Sequence, residues 1–425
     1  MKIAWCHTGV TGGAKRATYD MVRELSRRGH VIDEYIVCDQ PILDFLPLTD
    51  YVRNTYVVSF GPLIRKQLKP YILDAYVWFG KCAWRRRQMT PRLKQTANEI
   101  NSRGYDFVHL DQHPGAHTMG LLPYLKIPSV VYSHEVSAVR YKGINHSCNG
   151  NAPSGNGARS GLREIYRRFC DLAINEERQM MERYAIRRMP HASLILVNSD
   201  HTKDLFFHVY GRLARTSYLG VDHERFKPLN LTREHTVLSV GRLVKPKEHQ
   251  LIIRAVGQMQ KFERPRIVIA TPESETQSSI PMEIQRLAKD LDVELFIAWN
   301  PGDRELVRLY NTALAVVFVP IMEPFGLVPL EAMACGTPVV GVKEAGIRET
   351  VVDGETGFLV ERHPEAIAEA LRKLSADQVL RNGMGQRAVR NIRERWTWPI
   401  AIDRYEHEVN NLLGKEASYD ALERK

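Results

Sequence analysis

The chain has 425 residues, of which 44% are hydrophobic and 25% charged, and its formal net charge is +10. This length exceeds one ordinary domain and favours two domains of about 200 residues each. The composition is that of a globular protein, and the lack of an apolar run of about 18 residues argues against a membrane-spanning helix. The first residues read as a strand rather than a signal peptide, so we expect a cytoplasmic protein.

Predicted strands and helices alternate through the first half of the chain. A β-prone strand at 2–7 leads into a loop with Gly12 and Gly13, and then into a helix whose apolar residues lie three or four apart. Gly29 ends that helix, and a second strand follows. The further strands predicted are 31–38, 107–110, 129–133 and 194–198. Short buried strands separated by helices indicate a parallel sheet covered on both faces.

Two segments interrupt this alternation. Residues 145–161 are rich in Gly, Asn and Ser, so we predict a loop there, followed by a charged helical stretch at 162–188. Residues 51–100 contain ten Lys or Arg against two acids, with Trp, Tyr and Phe between the cations. Such a segment suits the surface of a membrane with anionic lipid, but also suits a helical cover over the first sheet. Nucleic acid is a weaker hypothesis, because no nucleic-acid motif accompanies the charge.

The second half repeats the α/β alternation. We predict strands at 236–240, 266–270, 293–298, 314–319 and 338–342, and helices at 248–260, at 364–374 and from about 396 onward. We therefore expect two Rossmann-like domains, residues 1–215 and 216–425, with the terminal helix from about 400 crossing back to the first. Ligands bind beyond the carboxyl ends of parallel strands, so two such domains facing each other would form one deep cleft.

The densest motif runs from 320 to 338, where a strand ends, a loop follows and a short helix begins near 328. Glu323 lies in the loop before the helix, and Glu331 lies on the helix. Backbone N–H groups at such a helix start can receive phosphate or sugar oxygens, and the two carboxylates can accept hydrogen bonds from hydroxyls. Two isolated acids would otherwise be ordinary solvated side chains, but the surrounding Pro-Phe-Gly-Leu and Ala-Cys-Gly-Thr-Pro segments favour a site.

A second motif follows the strand at 236–240. Gly241 leaves room for a close backbone approach, and Arg242 and Lys247 place two cations on one loop. Fixed cations stabilise the negative charge that develops on a departing diphosphate. The alternative is that Arg242 and Lys247 are ordinary surface cations. Lys245 lies on the same loop, but we do not include it in the predicted site.

These two motifs resemble those of the large family of retaining GT-B glycosyltransferases known as family 4. Residues 323–331 match its E-x7-E motif, and residues 241–247 match its G-R-L-x-x-x-K motif. Residues 220–228 and 354–360 also resemble its pattern. The resemblance implies a GT-B fold, a nucleotide-sugar donor bound by the second domain, and an acceptor bound by the first.

The resemblance also implies roles for the donor-side residues. Glu323 would hold hydroxyls of the donor sugar, while Gly326 and Leu327 would present backbone amides to it. Phe325, in the same loop, belongs to the same donor-binding set. Glu331 would bind the ribose.

The remaining roles concern the diphosphate and the first domain. Arg242 and Lys247 would grip the diphosphate, with Gly241 beside them. Gly12 and Gly13 resemble the family's glycine loop, although two glycines after a strand are often only a turn. His134, which follows the strand at 129–133, resembles the family's active-site histidine, although a lone histidine is often structural.

Retention of anomeric configuration and a same-face reaction follow from the resemblance. No spacing indicates a metal site, so we expect no metal and no cofactor, with a UDP- or GDP-sugar as substrate. The acceptor would be a glycan, a lipid-linked sugar or a small molecule. A sugar phosphorylase or a sugar-nucleotide epimerase on a similar fold is the alternative, and a non-catalytic nucleotide-sugar-binding protein is a weaker one. Peripheral contact with the inner membrane face through 51–100 remains a further hypothesis.

Overall fold

The computed structural model describes residues 1–8, 12–38, 46–60, 89–112, 117–136, 183–273 and 279–414. Within these ranges the strands form two parallel sheets, one from each half of the chain. Both sheets are flanked by helices, so their strands are buried on two faces and consist mainly of apolar residues.

The first sheet has the strand order β3-β2-β1-β4-β5-β6-β7. Its strands are β1 Lys2–His7, β2 Val31–Cys38, β3 Asn54–Ser59, β4 Phe107–Gln112, β5 Ser129–Ser133, β6 Leu194–Val197 and β7 Arg215–Thr216. The order reverses between β1 and β4, which pair directly with each other. Their carboxyl ends therefore border a crevice in which parallel sheets bind ligands.

The second sheet repeats the arrangement with the order β10-β9-β8-β11-β12-β13. Its strands are β8 Thr236–Val240, β9 Arg266–Thr271, β10 Leu295–Trp299, β11 Ala315–Phe318, β12 Val339–Val342 and β13 Gly357–Val360. Here the order reverses between β8 and β11. The loops after these two strands are those that carry the cationic and acidic motifs.

Helices cover both sheets. In the described part of the chain the α-helices are α1 Gly13–Arg27, α2 Asp200–Tyr210, α3 His249–Gly257, α4 Ile280–Asp290, α5 Asp303–Thr312, α6 Leu327–Ala334, α7 Ile347–Thr350, α8 Pro364–Ala376, α9 Gln378–Arg395 and α10 Trp398–Leu412. Residues 89–102 and 183–188 are also helical. Helix α1 follows the apolar spacing predicted for it and turns Ala17, Met21 and Leu25 into the core.

The predicted strands agree with the observed strands to within two residues at each end. Strands β3, β7 and β13 were not predicted. The residues of β3 lie in the segment 51–100, which we interpreted by its charge. The structure instead pairs β3 with β2 at the edge of the first sheet. The loop predicted at 145–161, most of the helix predicted at 162–188, and residues 61–88 of the basic segment lie outside the described residues.

The chain passes twice between the two sheets. Strand β7 ends the first sheet, so a boundary at 215/216 falls within that strand. Val221 bridges to Thr397, and the N–H of Val221 donates to the Trp396 carbonyl at 2.7 Å. Helix α10 then packs against α1, where the Tyr405 hydroxyl lies 2.7 Å from Nδ1 of the buried His109 on β4.

Candidate functional site

The candidate site lies at the carboxyl ends of β8 and β11, where the second sheet reverses its strand order. The loop after β8 carries Arg242 and Lys247, and the loop after β11 carries Glu323. The two loops are joined directly, since the N–H of Ile321 donates to the Pro246 carbonyl at 2.8 Å. The topology therefore places both motifs at the crevice where a parallel sheet binds its ligand.

Lys247 and Glu323 form an ion pair across these loops. The Lys247 ammonium donates to Glu323 Oε2 at 2.8 Å, and each side chain is about one-fifth exposed, at 23% and 22%. The Lys247 stem lies over Gly241, where an added Cβ would stand 3.6 Å from Lys247 Cδ. That distance is an ordinary van der Waals contact, and what favours glycine at 241 is its φ of 152°. A partly exposed cation and anion in contact can bind neighbouring groups of one ligand, the cation an anionic group and the carboxylate a hydroxyl.

Arg242 differs from Lys247 because its side chain is exposed to solvent. Its guanidinium has no hydrogen-bond or ion-pair partner among the described residues. Its backbone is fixed, since the Arg242 carbonyl accepts from the Val244 N–H at 2.9 Å and lies 3.2 Å from Nε2 of the buried His249. Arg242 thus offers five donors to a ligand from a rigid loop.

The loop of Glu323 is held from two sides by contacts that the sequence did not reveal. The Glu323 carbonyl accepts from the Gly346 N–H at 3.0 Å. Arg362 donates to the Val319 carbonyl at 2.8 Å and to the Pro320 carbonyl at 2.9 Å. Backbone carbonyls bound in this way fix the position from which the Glu323 side chain extends.

Helix α6 begins directly after this loop. Gly326 has φ of 103°, a left-handed conformation that favours glycine, and no side chain caps the helix. The first N–H groups of α6, from Leu327 onward, are therefore available to an anion or to sugar oxygens. Phe325 is buried, with its ring centroid 5.8 Å from that of Trp396, so it supports the loop by packing.

Glu331 lies one turn into α6 and is buried, with 5% of its side chain exposed. Its two oxygens already have partners. Oε1 accepts from Arg16 Nη1 at 2.8 Å, and Oε2 accepts from the Tyr310 hydroxyl at 2.6 Å. Each oxygen retains a second lone pair that could accept from a ligand hydroxyl.

Gly12 and Gly13, at the start of α1, face the start of α6. Gly12 has φ of 109°, and Gly13 is the first residue of α1. A Cβ added at Gly13 would lie 4.0 Å from Leu327 Cδ1. The two helix starts therefore border the same space from opposite halves of the chain.

His134 lies just after β5 and is almost fully buried. Its Nε2 lies 3.3 Å from Asp111 Oδ1, and its carbonyl accepts from the Asn198 side chain at 2.8 Å. The Thr18 hydroxyl of α1 donates to Asp111 Oδ2 at 2.7 Å, so His134 is connected to the glycine-loop helix through one carboxylate. The structure brings Gly12, Gly13 and His134 into one half of the site.

Asp111 is a residue that sequence reasoning missed. It is buried, and besides His134 and Thr18 it accepts from Trp5 Nε1 and contacts His109 Nε2 at 3.0 Å. Burial alone would raise the pKa of Asp111, but the hydrogen bonds and charges of the two histidines hold the pKa well below its usual value. A carboxylate in a buried strand, two residues from a histidine, was the available signal.

Within the described ranges, no group of three or more His, Cys, Asp or Glu side chains is arranged to hold a metal ion. In the same part of the chain, none of the helices combines the length and the apolar character needed to cross a bilayer.

Two family models match the sequence in succession. The model described as Glycosyltransferase Family 4 matches residues 11–225, and the model described as Glycosyl transferases group 1 matches residues 221–391. Among curated proteins, D-inositol 3-phosphate glycosyltransferase of Corynebacterium glutamicum is 27% identical over 437 residues, covering 96% of this chain and 94% of that one. The protein of the same name from Frankia alni is 35% identical over 173 residues, covering 36% of this chain and 42% of that one.

Solved structures give the same architecture. Sucrose-phosphate synthase from Thermosynechococcus elongatus superposes with a TM-score of 0.73 at 19% identity, covering 98% of this chain and all of that one. Anabaena HepE in complex with UDP and glucose superposes with a TM-score of 0.68 at 17% identity, covering 97% and 99% of the two chains. At these identities the structural matches establish the fold.

Proposed function

Because this chain belongs to glycosyltransferase family 4 and has the GT-B fold, we propose that it transfers a hexose from a nucleotide sugar to an acceptor hydroxyl with retention of configuration. The observation that carries the proposal is the pairing of Lys247 with Glu323 at the switch point between β8 and β11. This pairing puts a cation for the diphosphate beside a carboxylate for the sugar.

The donor is proposed to lie across this pair. Arg242 and Lys247 bind the diphosphate, Glu323 accepts hydrogen bonds from the sugar hydroxyls, and Glu331 accepts from the ribose. The unpaired N–H groups at the start of α6, after Gly326, support this placement because they favour anionic or polar oxygens.

The reaction is proposed to occur on one face of the sugar. The bond between the anomeric carbon and the diphosphate breaks, the acceptor oxygen bonds to that carbon, and the acceptor proton passes to the departing phosphate oxygen. Arg242 and Lys247 stabilise the negative charge that develops on the leaving diphosphate in the transition state. His134, fixed by Asp111, borders the sugar from the first half.

Each half of the chain is proposed to bind one of the two substrates. Residues 1–215 form the acceptor side and residues 216–425 the donor side, with the terminal helix returning to the first half. The contact of α10 with α1 supports this division, as does the location of both donor motifs in the second sheet.

UDP is the favoured donor nucleotide, with GDP as the alternative. The support is a neighbour of the same fold that was solved with UDP and glucose. For the acceptor, the curated relatives named for D-inositol 3-phosphate support trying a phosphorylated polyol first. Glycans and lipid-linked sugars are the other acceptors to test.

A thermal-shift panel of UDP, GDP, ADP and their sugars tests the proposal. We expect UDP and UDP-sugars to raise the unfolding midpoint, because a ligand that binds only the folded state stabilises it. Product analysis with D-inositol 3-phosphate and each stabilising donor then tests transfer. No shift with any of these nucleotides would refute the proposal, and release of a sugar phosphate with inorganic phosphate alone would indicate a phosphorylase.

Independence from metal is a separate part of the proposal. We expect the transfer rate to be unchanged in EDTA, because the cations of Arg242 and Lys247 serve the leaving diphosphate. Loss of activity in EDTA that added Mg²⁺ or Mn²⁺ restores would contradict this part alone.

We also propose that the protein acts in the cytoplasm and that its basic segment 51–100 contacts anionic lipid. The support is the excess of cations in the sequence, although Arg53 is paired with Asp33 in the first sheet and residues 61–88 lie outside the described part. Flotation with liposomes that contain anionic lipid tests this, and absence of binding at low salt would contradict it.

A further inference from the structure

Arg16 connects the two halves of the chain at the candidate donor site. It lies in the first turn of α1, three residues after Gly13, and its Nη1 donates to Glu331 Oε1 at 2.8 Å. The Arg16 side chain is 27% exposed, whereas that of Glu331 is 5% exposed. The guanidinium is therefore more exposed than the carboxylate that it contacts.

We propose that Arg16 is a positioning residue for the donor: it orients and neutralises Glu331 so that this carboxylate can bind the ribose of a nucleoside diphosphate. The first half of the chain thereby completes the nucleotide site of the second half. This inference rests on the proposed function, because it assumes that a nucleoside diphosphate occupies the site.

The first argument is electrostatic. A diphosphate bound by Arg242 and Lys247 brings negative charge towards Glu331, which is itself buried and cannot be screened by water. Like charges held close in a poorly solvated site repel strongly unless a cation lies beside them. Among the described residues, Arg16 is the cation in contact with Glu331, since the other partner is the neutral hydroxyl of Tyr310.

The second argument concerns hydrogen-bond capacity. An ionised carboxylate offers about four acceptor positions. Arg16 occupies one on Oε1 and Tyr310 occupies one on Oε2, which leaves one position on each oxygen. Two neighbouring hydroxyls, as on a ribose, match the two remaining positions. The existing bonds therefore orient Glu331 for a ribose without excluding it.

Helix α1 supplies a matched control for this role. Arg23 lies two turns further along the same helix and donates to Asp222 Oδ2 at 2.9 Å. This pair also links the two halves, and its side chains are similarly shielded, at 15% and 13% exposed. Loss of Arg23 removes a comparable bridge, but not one to Glu331.

The test is calorimetric titration of UDP, or of GDP if the wild type prefers it, into the wild type, Arg16→Gln, Arg23→Gln, Glu331→Gln and Arg16→Gln/Glu331→Gln. We expect Arg16→Gln to weaken binding at least about tenfold, the effect of losing one charge-assisted contact, and Arg23→Gln to change it less than about twofold. In a protein that already carries Glu331→Gln, we expect Arg16→Gln to cause little further loss of nucleotide affinity, because the charge that Arg16 pairs with is already absent.

Unfolding midpoints without nucleotide show whether each variant is folded. The inference is overturned if Arg16→Gln binds nucleotide as well as Arg23→Gln does, or if the losses from Arg16→Gln and Glu331→Gln are additive. If the folded wild type binds neither UDP nor GDP, the proposed function is overturned and this inference with it.

Discussion

Two lysines two residues apart on the loop after β8 have different surroundings. Lys245 is exposed, whereas Lys247 lies over Gly241, pairs with Glu323 and has its ammonium 5.7 Å from the centroid of the Phe318 ring. The difference arises because the turn at 245–247 is a single 3-10 turn that directs only one of the two side chains towards β11. Lys245 and Lys247 therefore differ in environment although they are the same residue type on the same loop.

Replacing Lys247 tests the proposed role of this cation. We expect Lys247→Ala to lower turnover at least about tenfold, because one fixed cation at the leaving diphosphate is lost. Lys245→Ala is the matched control and should leave turnover within about twofold. Steady-state kinetics and an unfolding midpoint for each variant make the measurement, and equal rates in the two variants would contradict the assignment.

His249 is a buried titratable group below the same loop. Its Nε2 lies 3.2 Å from the Arg242 carbonyl, its Nδ1 lies 3.1 Å from the Ser239 hydroxyl, and desolvation lowers its pKa to about 4. The neutral ring donates through Nε2 and accepts at Nδ1. Because the folded pKa lies below the ordinary value of 6.5, this ring contributes stability above pH 6.5 that is lost as the pH falls towards 4.

A pH series of unfolding midpoints checks this contribution. Between pH 6.5 and 4.5 we expect the wild type to lose stability more steeply than His249→Gln, by about 2 kcal/mol in total. Glutamine does not titrate in this range, so the difference between the two proteins isolates the histidine. Parallel curves for the two proteins would show that His249 is not buried in its neutral form.

At the scale of elements, the loop after β11 is positioned by the segment that follows β12. Gly346 approaches this loop so closely that an added Cβ would lie 2.6 Å from the carbonyl carbon of Pro324 and 2.8 Å from Phe325 Cα. The φ of Gly346 is −70°, so its backbone would accept other residues. The requirement for glycine here is one of space between two loops, and it follows from their packing.

Gly346→Ala tests this packing. We expect a loss of turnover of about tenfold or more, because the added methyl displaces the backbone that carries Glu323 by overpacking. Gly302→Ala is the control, since nothing lies within 4 Å of its added Cβ and its φ is −64°. Kinetics beside unfolding midpoints distinguish a displaced loop from an unfolded protein, and unchanged turnover in Gly346→Ala would contradict the proposed positioning.

At the scale of the whole molecule, the two sheets are joined where the chain crosses itself. Gly220 packs so closely on the segment before α10 that an added Cβ would lie 2.7 Å from both Trp398 Cα and Trp398 N. Glu349 adds a second link, because its oxygens accept from the N–H groups of Asp200 and His201 at 2.8 and 2.9 Å. A carboxylate at the start of α2 is also favoured by the helix dipole.

Substitution at the crossing should destabilise the whole molecule. We expect Gly220→Ala to lower the unfolding free energy by about 1–3 kcal/mol, because backbone atoms must move to admit the methyl group. Gly383→Ala, inside α9, should have little effect or a stabilising one, since its added Cβ meets only the end of the Arg387 side chain at 3.3 Å. Calorimetry of both variants tests this, and equal midpoints would refute the predicted strain.

The sequence by itself determined the α/β class, ten of the thirteen strands in the described part of the chain, and the positions of the motifs at 241–247 and 323–331. Buried parallel strands are continuous apolar runs, and the loops after them carry Glu323, Arg242 and Lys247 at fixed spacings. These are local properties, which neighbouring residues decide. Strand β3 was missed because an edge strand is only partly apolar, and its surrounding charge dominated the pattern.

Only the tertiary structure decided which side chains meet. The bond from Arg16 to Glu331 spans 315 positions in the sequence, and that from His134 to Asp111 joins the residue after β5 to strand β4. No periodicity encodes such pairs, because they depend on how two sheets pack and where their strand order reverses. Helix α10 makes the same point: the sequence predicts a helix from about 396, and only packing places Tyr405 on His109.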